Sequence, residues 1–167
     1  SYITQGLAFV KGETGNANLF SDQKYWMSKF YRMYSEHIPF ARLAELTGSN
    51  QEIFKRWLSH PYFDKHWKDT TFPDKDYERI DIPILTITGH FDGDQPGAMH
   101  YFCKHMQYGP AESREKHYLL VGPWDHAGTR HTQKELGGLE FEDNGVLDME
   151  KLHLEWYDWV FKGKDKP

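Results

Sequence analysis

Apolar side chains recur at helical spacing in the first half of the chain and in short β-branched runs in the second, with the change near residue 80. Between residues 22 and 37, Trp26, Phe30, Met33, Tyr34 and His37 repeat every three or four positions. Ser21 or Asp22 is placed to cap this helix and Pro39 stands just past its end. Ser49-Asn50-Gln51-Glu52 fits a capping box for a second helix, which carries Ile53, Phe54, Trp57 and Leu58 and stops at His60-Pro61. A third short helical turn is expected to hold Tyr62, Phe63 and Trp67. Short helices this rich in bulky apolar residues need another surface to cover them, so residues 1–76 read as a helical cap.

From Tyr77 onward the pattern becomes strand, helix, strand, helix. Ile82 to Thr88 is a β-branched run of the kind buried on both faces of a parallel sheet, with Pro83 admissible only at its start. The loop Gly89-His90-Phe91-Asp92-Gly93-Asp94-Gln95 leads to a helix opened by Pro96, with Met99, Phe102, Cys103 and Met106 on one face and Gly109 after it. A second strand, His117 to Val121, ends in Gly122-Pro123-Trp124-Asp125-His126. A last helix from about Met149 to Phe161 carries Leu152, Trp156, Trp159 and Val160 and closes at Gly163. Two strands joined through a helix are most simply parallel with a right-handed crossover. The expected fold class is therefore α/β, with residues 77–167 forming the C-terminal part of a parallel sheet.

Composition changes this picture in three places. Aromatic residues make up 16% of the 167, too many for a disordered chain. The longest uncharged apolar stretch, Ile82 to Phe91, is interrupted by Pro83 and far short of the ~20 residues of a membrane span. The net charge is −5 and no Lys/Arg block offers a phosphate-binding stripe, which argues against nucleic acid. The acidity lies in the second half, where 9 basic residues face 15 acidic ones, against 11 and 10 in residues 1–80. A lone cysteine, Cys103, excludes an internal disulfide framework and reads as a small buried hydrophobe on a helix. The chain opens on Ser1-Tyr2-Ile3 without an initiator Met or signal-peptide pattern, which reads as the interior of something longer.

Candidate chemistry emerges from the topology. If the two strands are parallel, Asp92 lies about four residues past the first and His126 about five past the second, both at the carboxyl edge where open α/β sheets place their sites. A carboxylate that accepts Nδ1–H fixes the imidazole tautomer and stabilises the imidazolium, and Nε2 can then deprotonate a hydroxyl nucleophile. The order Asp then His fits the α/β-hydrolase order Ser, Asp/Glu, His. The nucleophile is missing: none of Ser1, Ser21, Ser28, Ser35, Ser49, Ser59 and Ser113 stands in a Gly-x-Ser-x-Gly setting.

Four segments, in order, resemble the serine acyl hydrolases that group cocaine esterase, α-amino acid ester hydrolases, glutaryl acylases and X-Pro dipeptidyl peptidases. Trp57-Leu58-Ser59-His60-Pro61-Tyr62-Phe63-Asp64-Lys65-His66-Trp67 resembles their W-x-x-H-P-x-x-D-x-x-W stretch. Tyr77 to Leu85, running into Gly89-His90-Phe91-Asp92, resembles the strand that delivers the acid. Gly122-Pro123-Trp124-Asp125-His126 resembles the loop that delivers the histidine. Gly138-Leu139-Glu140-Phe141, with the helix through Trp156, resembles the family's segment C-terminal to that loop. The resemblance implies that Asp92 is the triad acid and His126 the triad base of an enzyme cleaving esters or amides through an acyl-serine. It also implies that the serine elbow lies upstream of this chain and a jelly-roll domain after it. Ser1-Tyr2 resembles the elbow's Ser-Tyr but stands too close to the cap.

Other readings stay open beside this one. Asp92 could merely be the acid ahead of the helix at Pro96, and Asp94 is the better placed cap and the second candidate for the triad. The string His90, Asp92, Asp94 and the pairs His100/His105 and His126/His131 invite a metal, but a spacing of five is a poor fit to helical ligand pairs, and neither metal nor cofactor is expected. Asp143-Asn144-Gly145 reads as a turn, and Tyr25, Trp26, Tyr31, Trp57 and Trp67 as packing residues. The expected partners are a small acyl ester or amide and the missing parts of the parent chain, with a homo-oligomer left open. The chain alone is expected to be inactive. A non-catalytic interaction module is the alternative from another class, and a metal-dependent hydrolase a second.

Overall fold

The computed structural model describes residues 22–49 and 51–167, so Ser1, Ser21 and Asn50 lie outside the described residues. The chain divides into two compact units between Thr71 and Phe72.

The first unit is helical. Helix α1 (Gln23–Ser35) is capped by Asp22, whose carboxylate accepts the Tyr25 N–H at 2.9 Å. A 3-10 turn at Phe40–Arg42 leads into α2 (Leu43–Thr47), which ends at Gly48 with φ +65°, a left-handed conformation that suits glycine. Helix α3 (Gln51–Ser59) and the short α4 (Lys65–Lys68) come next. Trp26, Leu43, Ala44 and Phe54 form the core, with Tyr25, Phe30, Met33, Trp57 and Leu58 packed against it. The periodicity of α1 was legible, but its stripe is narrower than expected: Tyr34 is exposed and His37 lies beyond the helix at φ +53°. Tyr62 and Phe63 precede α4 and are exposed, and Tyr31 is exposed as well.

The second unit begins with α5 (Asp74–Tyr77), whose Tyr77 ring packs 5.8 Å from Tyr101. Strand β1 (Ile84–Gly89), helix α6 (Gln95–Tyr108), the short α7 (Ala111–Arg114) and strand β2 (His117–Gly122) make the expected crossover. The strands are parallel and in register from Ile84↔His117 to Gly89↔Gly122. Pro83 falls just before β1, where its missing N–H costs no ladder bond. A hairpin, β3 (Glu135–Leu136) and β4 (Leu139–Glu140), turns through Gly137 and Gly138, both at positive φ. Helix α8 (Met149–Lys162) is capped by Asp148, ends at Gly163 with φ +65°, and sets Trp156 and Trp159 edge-on against Tyr118. Among the described residues no helix is long and apolar enough to cross a membrane.

The face of α6 differs from expectation. Cys103 and Met106 are exposed, whereas His105 is fully buried. A buried imidazole needs partners, and His105 has them: Nε2 reaches the Ile80 carbonyl at 3.2 Å and Ser113 Oγ at 3.1 Å, and Nδ1 meets His117 Nδ1 at 2.9 Å. Thr86 Oγ1 lies 2.8 Å from His117 Nε2. A carbonyl only accepts, so His105 donates from Nε2, and the contact between the two Nδ1 atoms carries one shared proton. Burial and the neighbouring His105 push His117 down to about 4.

Candidate active site

The loops that leave β1 and β2 at their carboxyl ends are laced together by backbone hydrogen bonds. The His90 N–H donates to the Gly122 carbonyl at 2.7 Å and the Phe91 N–H to the Trp124 carbonyl at 3.0 Å. This close approach explains the glycines. A Cβ on Gly89 would overlap the Trp124 carbonyl, and one on Gly122 would overlap the Trp124 ring. Trp124 itself is buried and donates Nε1–H to the Gly145 carbonyl at 2.7 Å. Gly-Pro-Trp thus folds an indole back under the strand ends and fixes the path of the next residues.

Those next residues are Asp125 and His126. Asp125 Oδ1 accepts the Gly128 N–H at 2.8 Å and closes a turn, so its carboxylate shapes the loop. The His126 carbonyl accepts Thr129 Oγ1–H at 2.8 Å and an Arg130 guanidinium N–H at 3.3 Å, which ties down the backbone at this residue. On the other loop, the Asp92 N–H donates to the Gly89 carbonyl at 3.1 Å, and Asp92 Oδ1 accepts the Asp94 N–H at 2.9 Å.

Asp92 and His126 come together across this edge. His126 Nδ1 lies 3.3 Å from Asp92 Oδ2, with the Asp92 side chain 5% exposed and the His126 side chain 45% exposed. A buried carboxylate with one oxygen occupied by a backbone N–H and the other facing Nδ1 is suited to fix a tautomer and to stabilise a protonated ring.

Asp94 is not the side-chain cap expected of it. It occupies the N-cap position of α6, yet its carboxylate makes no cap hydrogen bond, and Oδ2 lies 3.5 Å from His126 Nδ1. Among the described residues, Asp92, Asp94 and His126 are also the one group of such side chains compact enough to surround a cation, within 4.8 Å of one another. Of the string His90, Asp92 and Asp94, His90 stands outside that group and packs edge-on against Phe91 at 4.9 Å. The tie from Trp124 to Gly145 was missed in the sequence. Its only signal is the Asp-Asn-Gly turn, which forms a 3-10 turn over Glu142–Gly145.

The W-x-x-H-P-x-x-D-x-x-W stretch closes on itself within the first unit. Asp64 caps α4 through the His66 N–H at 2.9 Å and meets His60 Nδ1 at 2.6 Å, while Trp67 Nε1–H donates to the His60 carbonyl at 2.7 Å. The hydrogen bond from His60 holds the Asp64 carboxyl below the usual carboxylate range.

The family model described as X-Pro dipeptidyl-peptidase (S15 family) matches residues 10–128, more than half of the chain. No curated protein and no solved structure gives a match.

Proposed function

The chain belongs to the X-Pro dipeptidyl-peptidase (S15) family, and from that premise we propose that its second unit supplies the acid and the base of a serine acyl hydrolase. In this reading His126 Nε2 takes the proton of a serine hydroxyl as its oxygen attacks the acyl carbon of an ester or amide. His126 then returns the proton to the departing alcohol or amine, leaving an acyl-serine. Water, deprotonated by the same nitrogen, releases the acid and frees the serine. Asp92 holds the Nδ1 proton throughout and stabilises the imidazolium. The serine and the oxyanion donors belong to a longer parent protein, since no serine of the chain stands in a nucleophile-elbow motif. The observation that carries the reading is the 3.3 Å approach of His126 Nδ1 to a buried carboxylate, from two consecutive parallel strands.

The test uses the full-length protein and a fluorophosphonate probe, which labels an activated serine. Labelling is expected in the wild type and to be strongly reduced in Asp92→Asn and His126→Ala variants, with turnover indifferent to chelators. Full labelling of the His126→Ala variant would sink the reading. Robust, His126-dependent ester turnover by the 167-residue chain alone would refute the placement of the nucleophile elsewhere.

A further inference from the structure

His126 Nδ1 has two carboxylates within reach, Asp92 Oδ2 at 3.3 Å and Asp94 Oδ2 at 3.5 Å. Their settings differ. The Asp92 side chain is 5% exposed and the Asp94 side chain 57%. They are also joined, because the Asp94 N–H donates to Asp92 Oδ1 at 2.9 Å, so a shift of one carboxylate is felt by the backbone of the other. Asp94 stands where an aspartate commonly accepts an N–H of the first helical turn, and it forgoes that bond. Its carboxylate faces the ring instead. One Nδ1–H cannot be in line with two acceptors at once, so the geometry is that of a shared donor.

We infer that Asp94 is a second positioning residue for His126, an alternate acceptor for the Nδ1 proton that shares with Asp92 the orientation of the ring. The inference rests on the reading of His126 as a catalytic base. It has two consequences. Alone, the exposed Asp94 contributes little, because solvent and salt screen its charge. Without the Asp92 charge, it becomes the remaining anionic acceptor, and its loss then costs far more.

The experiment measures kcat/KM against pH for a p-nitrophenyl ester with the full-length protein, in wild type, Asp92→Asn, Asp94→Asn, Asp94→Glu, the Asp92→Asn/Asp94→Asn double variant and His126→Ala. Asp94→Asn alone is expected to lower kcat/KM by about two- to fivefold and to move the acid limb to lower pH, more at low salt than at high. Asp94→Glu restores the limb. In the Asp92→Asn background the same Asp94→Asn change is expected to cost at least about tenfold, bringing activity down to that of His126→Ala. Asp94→Asn effects that are equal in both backgrounds, with an unmoved acid limb, overturn the inference and leave the His126 reading intact. Full activity in His126→Ala overturns both, and that arm distinguishes the two failures. The asparagine keeps the backbone N–H on Asp92 Oδ1, and a circular dichroism spectrum and melting temperature matching wild type show that each variant is folded.

Discussion

His60 and Asp64 meet at 2.6 Å, four residues apart, whereas His126 and Asp92 meet at 3.3 Å across 34 residues of chain. The first pair is built by local spacing. Its carboxylate already caps a helix, its imidazole stacks on His66 at 4.2 Å, and its side chains are 32% and 41% exposed. The second pair exists only because two parallel strands end side by side, and its carboxylate is buried. Shortness is therefore a poor guide to chemistry: a bond that a turn makes automatically stabilises the turn, while one delivered by register of a sheet can be aimed at a substrate.

Removing each histidine should separate the two pairs most sharply. In the full-length protein, His126→Ala is expected to lower kcat by about four orders of magnitude, whereas His60→Ala leaves kcat within a few-fold of wild type. Steady-state kinetics on both variants checks this, and an equal loss in the two would erase the distinction.

The next largest effect concerns how the second pair is assembled. Alanine at Gly89 must displace the Trp124 backbone, so Gly89→Ala is expected to cost about 3 kcal/mol and to pull the His126 loop away. Gly97, in α6, has open space around a would-be Cβ, and Gly97→Ala is expected to stabilise by about 0.5–1 kcal/mol. Denaturant melts of the two variants read both signs.

Acid should also tell the units apart. His117 is held neutral in the fold, with its value lowered from 6.5 to about 4, so the unfolded chain binds more protons between those limits. This contribution is complete above pH 6.5 and is lost as pH falls towards 4, amounting to about 2 kcal/mol between pH 6.5 and 5. The slope should vanish in His117→Gln. Asp64 changes in the same direction but in a more acidic window: its carboxyl is lowered by the bond from His60, so its contribution is lost only as pH falls through and below the ordinary carboxylate range. Denaturant titrations at several pH values should show the acid sensitivity in the second unit.

The smallest expected effect is that of Asp64→Ala, which removes a cap and an exposed partner of His60. A slight drop in the melting temperature of the first unit is expected, with the pH slope of the second unchanged. Differential scanning calorimetry at pH 7 is sensitive enough to see it.

Much of this was readable in the chain itself. Helices α1, α3, α6 and α8 and both long strands carry apolar periodicity, caps and glycine or proline stops, and these are local signals. Helix α2 was missed because its five residues are too few to show a period, although Gly48 marks its end. The β3–β4 hairpin is two residues a side and rests on Gly137-Gly138. The face of α6 was misjudged because His105 counts as polar by composition, while its buried partners come from Ile80, Ser113 and His117, which no local pattern announces.

The candidate site divides in the same way. That an aspartate and a histidine come after two consecutive strands, in the order an α/β-hydrolase requires, follows from local pattern, because strand direction and crossover handedness are set by short-range sterics and chain connectivity. Packing of distant segments set the rest: Asp92 is buried with one oxygen on the Asp94 N–H, Trp124 is anchored to Gly145, and Asp94 turns from its helix to His126. Those outcomes depend on which groups are left without water when distant segments close on one another, and desolvation is a property of the packed molecule rather than of any stretch of its sequence.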